Sequence, residues 1–114
     1  MVARDRYVPE RGDIVWVDFS PQEGHEQANR RPAVVLSPKF YNAKSSLALV
    51  CPITSHVKGY PFEAPLEIKK VAGAVLTDQV RSIDWRARHV KLIQRILPET
   101  LREIQKRILQ LLLE

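Results

Sequence analysis

The sequence has few of the residues that build metal centres or disulfide scaffolds. Its 114 residues include a single cysteine, Cys51, which excludes an internal disulfide and a thiolate metal cluster. The three histidines, His25, His56 and His89, are scattered without the spacing of zinc ligands. We therefore expect no metal and no cofactor. Cys51 follows the apolar residues 47–50, which favours a buried, unreactive thiol.

Long apolar segments are also missing. No apolar run is long enough to cross a bilayer, and residues 1–6 lack the apolar segment of a signal peptide. We expect a cytoplasmic protein without membrane association. Apolar residues make up 45% of the chain and charged residues 27%, a balance typical of a globular protein. The length suits one domain, so we assign residues 1–114 to a single domain.

The sequence has an excess of positive charge. The net charge is +5, and residues 81–114 contribute eight basic side chains against four acidic ones. A positive field attracts polyanions or acidic protein segments and accelerates their encounter. It does not distinguish RNA from DNA or from an acidic peptide.

Short β-branched and aromatic segments alternate with Gly and Pro turns along most of the chain. We predict strands at 14–19, 32–36, 47–53, 62–68 and 73–77, with weaker signals at 80–83 and 89–95. Pro65 places the fourth strand at a sheet edge, because proline cannot donate to the ladder. Ser37 resembles an N-cap that opens a short helical turn from Pro38 through Tyr41. Trp16 is predicted in the core, and Trp85 at a partner surface.

The last segment has a helical period. After Pro98, apolar residues recur at spacings of three and four, at Leu101, Ile104, Ile108, Leu111 and Leu112. This pattern predicts an amphipathic helix of about four turns, whose apolar stripe packs on the sheet or on another subunit. Together the elements predict a mainly β protein with a C-terminal helix, a small and strongly curved β-barrel with helical cover.

Two adjacent arginines stand where a polar loop enters an apolar strand. Residues 24–28 have no hydrophobic pattern, whereas Val34, Val35 and Leu36 can anchor a strand. Arginine stays charged and presents planar donors that fit a phosphate. Arg30 and Arg31 therefore indicate an anion-binding site. A surface salt bridge explains the same residues equally well.

Six sequence blocks resemble the MazF/PemK-like mRNA interferases of bacterial toxin–antitoxin systems. These blocks are residues 12–19, 24–27, 31–38 with 41–42, 52–55, 58–63 and 78–83, in this order. The resemblance implies an SH3-like barrel of the CcdB/MazF type and a homodimer. It also implies cleavage of single-stranded mRNA at short sequences, without a metal, by attack of the 2′-OH. The products would be a 2′,3′-cyclic phosphate and a 5′-OH, and a MazE-like antitoxin with an acidic tail would inhibit the enzyme.

The resemblance also implies roles for individual residues. Arg31 and Thr54 match the family's catalytic arginine and hydroxyl residue, although a strand-end cap is the plain alternative for Thr54. Glu26 is the nearest carboxylate that can receive the 2′-OH proton. Its alternative role is a salt bridge that orients Arg31. Some family members carry histidine where this chain has Arg30.

Polar residues around this centre are candidates for RNA contact, because amides read unpaired bases and cations follow the backbone. They are Gln27, Asn29, Arg30, Ser55, Lys58, Gln79, Arg81 and Ser82.

Two other functions remain compatible with the sequence. One is a non-enzymatic, gyrase-targeting toxin of the CcdB type on the same fold, since a shared fold is a poor guide to function. The other is a basic nucleic-acid-binding barrel without turnover. The combination of Arg31 and Thr54 with a polar loop favours the nuclease.

Overall fold

The computed structural model describes residues 7–19, 30–67 and 71–113. Within these ranges the elements are β1 Asp13–Asp18, β2 Arg30–Val35, α1 Lys39–Ser45, β3 Leu47–Thr54, β4 Glu63–Glu67, β5 Ala72–Leu76, β6 Arg81–Asp84, β7 Lys91–Arg95 and α2 Pro98–Leu113. The prediction of a mainly β chain with a C-terminal helix is confirmed. The predicted strands are all present, with ends shifted by up to two residues.

The strands form one strongly curved antiparallel sheet that wraps into a half-barrel. Their order is β4-β5-β3-β2-β1-β7, and β6 pairs with β3 outside this path. The eight residues of β3 make this curvature possible, because the first part of β3 pairs with β2 and β6 and its last two residues pair with β5. Strand β4 lies at the sheet edge, as Pro65 predicts.

Alternation along the strands divides the apolar residues between two clusters. In β1, Ile14 packs into one cluster, whereas Val15 and Val17 pack into the other, on the opposite face. The first cluster includes Ile104 of α2, which is fully buried. The helix therefore covers one face of the curved sheet.

Helix α1 is longer than the predicted turn, and its predicted cap is wrong. The N-cap residue is Pro38, which offers no side-chain hydrogen bond. Ser37 instead donates its hydroxyl to Asn42 Oδ1 and accepts the backbone N–H of Leu49 at 2.9 Å. Asn42 is buried and needs these partners, so its network holds Ser37 away from the helix end.

The predictions for both tryptophans are wrong, since Trp16 was expected in the core and Trp85 at a partner surface. Trp85 is only 6% exposed in the second cluster, and its indole N–H donates to the carbonyl oxygen of Asn42 at 2.9 Å. Trp16 is 36% exposed. Trp16 shares the face of the buried Ile14, but it lies two residues further along β1, where this face is no longer covered.

The apolar stripe of α2 is only partly used by the sheet. Ile104 is buried and Ile108 packs beside it, but Leu111 and Leu112 are 54% and 73% exposed. Among the described helices, none is long and apolar enough to span a membrane. Cys51 is buried as predicted, and burial raises the pKa of its thiol to about 12.

Candidate functional site

The sheet brings Arg31 and Thr54 together at one end of the β2–β3 pair. The antiparallel register matches Ala33 with Pro52. Two residues further along each strand, the same register places Arg31 level with Thr54. Residues two apart on a strand share a face, so both side chains lie on the face of Ala33 and Pro52. Beyond these strands the apolar cover ends, which leaves the pair at an open edge.

A cleft of about 340 Å³ occupies this edge. Its polar lining includes Arg31, Thr54, Ser55 and His56, and the buried side chains of Ile53 and Val71 close its apolar side. Predicted site residues that are 23 positions apart in the sequence therefore line one cavity.

Arg31 is exposed in this cleft. No carboxylate among residues 7–19, 30–67 and 71–113 forms an ion pair with it. A guanidinium with free donors binds a phosphate through two parallel N–H bonds. The geometry is thus compatible with an anion-binding arginine on a rigid strand.

Thr54 is half-buried at the last position of β3, and its side chain caps the strand end. Its Oγ1 accepts the backbone N–H of His56 at 3.0 Å. This bond is the strand-end cap that the sequence offered as the alternative role. It also fixes the oxygen and leaves the hydroxyl proton to donate into the cleft.

Gly73 supports Thr54 from the neighbouring strand β5, and sequence reasoning gave it no such role. A Cβ at Gly73 would lie 2.0 Å from the carbonyl oxygen of Thr54, and the φ angle of Gly73 is +145°. Only glycine permits this approach. The available signal was a glycine inside a strand, which often marks close backbone contact.

Arg30 differs from Arg31 although the two are adjacent. Successive residues of β2 point to opposite faces, and Arg30 Nη1 donates to Asp18 Oδ1 at 2.8 Å. His89 Nδ1 lies 2.9 Å from the other carboxylate oxygen of Asp18. Burial acts to raise the pKa of Asp18, but the hydrogen bonds from Arg30 and His89 outweigh it, so the pKa lies below its ordinary value.

Arg88 holds the end of β1 next to this carboxylate. Its Nη1 donates to the carbonyl oxygens of Phe19 and, at 3.3 Å, Asp18. The backbone N–H of Asp18 in turn donates to the carbonyl oxygen of Arg88 at 3.0 Å. Asp18 and Arg88 were not predicted as site residues, because only the fold brings positions 70 apart together.

The other predicted residues fall into three groups. Ser55 lies in the cleft beside Thr54, and Arg30 lines its rim. Lys58, Gln79, Arg81 and Ser82 do not line it; Arg81 instead places its guanidinium 4.9 Å from the ring centre of Phe19. Glu26, Gln27 and Asn29 lie outside the described residues.

Metal ligands are not assembled in the part of the chain that the structure describes. No group of three or more His, Cys, Asp or Glu side chains there comes close enough to hold an ion.

Comparisons with known proteins connect the site to a family. Residues 10–112 match the model of the PemK-like, MazF-like toxins of type II toxin–antitoxin systems. The chain is 50% identical over 103 residues to the endoribonuclease toxin MazF of Escherichia coli strain K12, with 90% of this chain and 93% of that protein covered.

Solved structures agree with the sequence comparison. The crystal structure of MazF from Deinococcus radiodurans is similar with a TM-score of 0.83 and 47% identity, covering 93% of this chain and 97% of the other. A MazE–MazF crystal structure from the same organism gives a TM-score of 0.82 at 41% identity, with 93% and 96% covered.

Proposed function

Because the chain belongs to the PemK-like, MazF-like toxin family, we propose that Arg31 and Thr54 form the active site of an endoribonuclease that cuts single-stranded mRNA at short sequences. The endoribonuclease activity follows from the high identity to MazF over nearly the whole chain. The observation that carries the assignment of the site is the shared cleft, in which Arg31 and Thr54 lie on the same face.

The proposed reaction uses the substrate's own nucleophile. The 2′ oxygen forms a bond to the adjacent phosphorus while the bond from phosphorus to the 5′ oxygen breaks. The 2′-OH loses its proton, and the leaving 5′ oxygen gains one. The products are a 2′,3′-cyclic phosphate and a 5′-OH, and no metal takes part. The protein has to align the attacking oxygen, balance charge on the phosphate and transfer two protons.

Arg31 provides the positive charge in this proposal. Its guanidinium binds the scissile phosphate through two N–H donors and stabilises the charge that develops on the phosphate oxygens. It also donates to the leaving 5′ oxygen. Arginine cannot serve as the base, since it remains protonated in proteins.

Thr54 and Glu26 complete the proposed chemistry. The Thr54 hydroxyl donates to a non-bridging phosphate oxygen, and the hydrogen bond from His56 holds it in place. Glu26 accepts the proton of the 2′-OH as the general base. Alternatively, Glu26 forms an ion pair that orients Arg31. Substitution of Glu26 then causes the same loss of cleavage activity, but the pH dependence of the cleavage rate differs from that of a general base.

The predicted RNA-binding residues extend the site beyond the scissile phosphate. Ser55, which lines the cleft, contacts the nucleotide next to the scissile phosphate. RNA bases and phosphates further from the scissile phosphate contact the remaining candidates, which are Gln27, Asn29, Arg30, Lys58, Gln79, Arg81 and Ser82.

Two protein partners belong to the proposal. A cognate MazE-like antitoxin inhibits the toxin, because its acidic segment lies across the basic cleft. Since the substrate is mRNA, the reaction takes place in the cytoplasm. A second copy of the chain covers the exposed end of α2, where Leu109, Leu111 and Leu112 form an open apolar groove with Leu49 and Val80. Sedimentation should show a dimer that Leu112→Glu weakens.

The test is cleavage of a long, unstructured RNA in excess chelator, followed by end-group analysis of the fragments. We expect cuts at one short sequence, with 2′,3′-cyclic phosphate and 5′-OH ends. Loss of cleavage in chelator would contradict the metal-free reaction. Inhibition of gyrase supercoiling without any RNA cleavage would support the CcdB-type alternative, and salt-sensitive RNA binding without products would support a binding module.

A further inference from the structure

Trp16 is an exposed aromatic residue in the middle of a sheet face. It pairs with Pro32 of β2 on one side and with Lys91 of β7 on the other. Cross-strand partners share a face, so the three side chains form a stripe across the sheet. An indole that is 36% exposed there is available for contact with a ligand.

This stripe is continuous with the cleft of Arg31 and Thr54. Pro32 belongs to the stripe and also lines the cleft, as does Arg30, its neighbour on the same face of β2. The guanidinium of Arg30 lies 6.0 Å from the ring centre of Trp16, and the ion pair with Asp18 at 2.8 Å keeps it there. Trp16 lies on the face of Arg30, opposite that of Arg31, so a strand that leaves the cleft passes over Arg30 and Pro32 before it meets Trp16.

Positive charge borders the tryptophan on both sides. Arg30 stands beside the cleft, and Lys91 is exposed at the far end of the stripe. His89, whose side chain is 68% exposed, contacts the carboxylate of Asp18. Arg30 donates one hydrogen bond to Asp18. A guanidinium carries five N–H donors, so Arg30 retains donors for a phosphate.

We propose that Trp16, Arg30 and Lys91 form a platform for single-stranded RNA that flanks the cleavage site. A base outside the recognised sequence stacks on the indole of Trp16, and the phosphates on either side of it contact Arg30 and Lys91. This inference rests on the proposed nuclease function and deepens it. It adds a binding site for flanking nucleotides that takes no part in the chemistry.

The arrangement favours nucleic acid over an apolar peptide. Proteins that bind single strands combine aromatic stacking surfaces with cations along the backbone, and stacking accepts any base. An apolar peptide would gain nothing from cations at both ends of the stripe. Because stacking does not involve the 2′-OH, the platform accepts flanking deoxynucleotides as well as ribonucleotides.

The test compares two RNA oligonucleotides that carry a 2′-deoxy group at the cut position and therefore cannot be cleaved. The short one spans only the recognised sequence, and the long one adds several nucleotides on either side. For the wild type, we expect the long one to bind at least about fivefold more tightly, since stacking one base is worth about 1–3 kcal/mol. Trp16→Leu should remove most of this gain, and Trp16→Phe should restore part of it.

Lys91→Gln should lower the salt dependence of long-RNA binding by about one phosphate contact. Phe40→Leu and Lys39→Gln are the matched controls, because these exposed residues of α1 lie away from the stripe and should keep the full gain.

Three results would overturn the platform. The first is equal binding of short and long RNA by the wild type. The second is a Trp16→Leu variant that still prefers the long RNA as strongly as the wild type does. The third is a Trp16→Leu variant that binds the antitoxin more weakly but binds RNA unchanged. Failure of the proposed nuclease function gives a different result from failure of the platform. A wild type that cuts no RNA at all contradicts the nuclease, whereas a wild type that cuts RNA but gives one of the three results above contradicts only the platform.

Discussion

Arg31 and Thr54 lie level with each other on neighbouring antiparallel strands, with their side chains on the same face and in the same cleft. Arg31 is the second residue of β2, and Thr54 is the last residue of β3. Each therefore has a rigid strand on one side and solvent on the other. A fixed cation beside a fixed hydroxyl is the arrangement that can balance charge on a reacting phosphate without rearrangement.

The first prediction concerns the hydroxyl of Thr54. Thr54→Val keeps the shape of the side chain but removes the donor, so single-turnover cleavage should fall by about 10²-fold. Thr54→Ser keeps the hydroxyl and should stay within about fivefold of the wild type, the range set by imperfect positioning. Cleavage by the valine variant at the wild-type rate would exclude a catalytic hydroxyl at this position.

The second prediction compares two glycines with positive φ. At Gly59 nothing lies within 4 Å of an added Cβ, so Gly59→Ala should cost only about 1–2 kcal/mol of backbone strain. At Gly73 the added Cβ collides with the carbonyl oxygen of Thr54. Gly73→Ala should therefore lower the free energy of unfolding by at least about 3 kcal/mol.

Urea unfolding measures both glycine variants, and cleavage assays at low temperature test their function. The displaced Thr54 carbonyl should make folded Gly73→Ala slower in cleavage, whereas Gly59→Ala keeps its rate. Equal effects of the two substitutions would mean that the close contact between β5 and Thr54 is unimportant.

The third prediction is a pH dependence at Asp18. Its pKa is lower in the folded protein than in the unfolded chain, so its stabilisation is complete above the unfolded pKa and is lost as the pH falls through the folded pKa. Asp18→Asn should cost about 1–3 kcal/mol at neutral pH. The difference from the wild type should shrink as the pH falls below about 4, where the Asp18 carboxylate becomes protonated.

Urea unfolding of both proteins across this pH range measures the effect of Asp18. Asp78→Asn, at an exposed turn position, is the matched control and should change stability by about 0.5 kcal/mol or less. A difference between Asp18→Asn and the wild type that does not shrink below about pH 4 would show that the ion pairs of Asp18 are not stabilising.

The fourth prediction concerns the buried amide of Asn42. Its Nδ2 donates to the carbonyl oxygens of Pro9 at 2.8 Å and Ser37 at 3.0 Å. Asn42→Ala leaves these groups without a partner and should cost about 2–4 kcal/mol. Lys44→Ala, at an exposed position of the same helix, should cost about 0.5 kcal/mol or less. Equal midpoints in urea for the two variants would contradict the role of this network.

The strands and the terminal helix could be predicted from the sequence, because their signals are local. Period-two runs such as residues 14–19 and the spacing of Leu101, Ile104 and Ile108 need no knowledge of distant partners. The edge position of β4 also follows from one residue, Pro65.

The features that were missed depend on contacts between distant segments. Ser37 has the composition of a helix cap, but the buried Asn42 takes its hydroxyl. Trp85 stands between the charged residues Asp84 and Arg86, which predicts a partner surface. The turn after β6 instead points it into the second apolar cluster, where the carbonyl oxygen of Asn42 accepts its N–H. Such outcomes depend on which buried polar group finds which partner, and no local pattern contains that information.

The site was predicted in part for the same reason. Arg31 and Thr54 were identified by resemblance, and the register then placed them side by side. The different positions of Arg30 and Arg31 follow from strand alternation, but the partner of Arg30 does not. Asp18 is 14% exposed and receives Arg30 and His89 from two separate strand ends, a meeting that only the folded sheet produces.

The most direct test of the proposed catalysis is the single-turnover rate of RNA cleavage by Arg31→Ala, beside the matched exposed control Arg102→Ala. Since Arg31 forms no ion pair with a described carboxylate, both variants should unfold at nearly the wild-type urea concentration. Arg31→Ala should cut RNA at least about 10²–10³-fold more slowly, the cost of removing one preorganised donor to a developing oxyanion, whereas Arg102→Ala should match the wild type. A folded Arg31→Ala variant that cuts RNA as fast as the control would contradict the account.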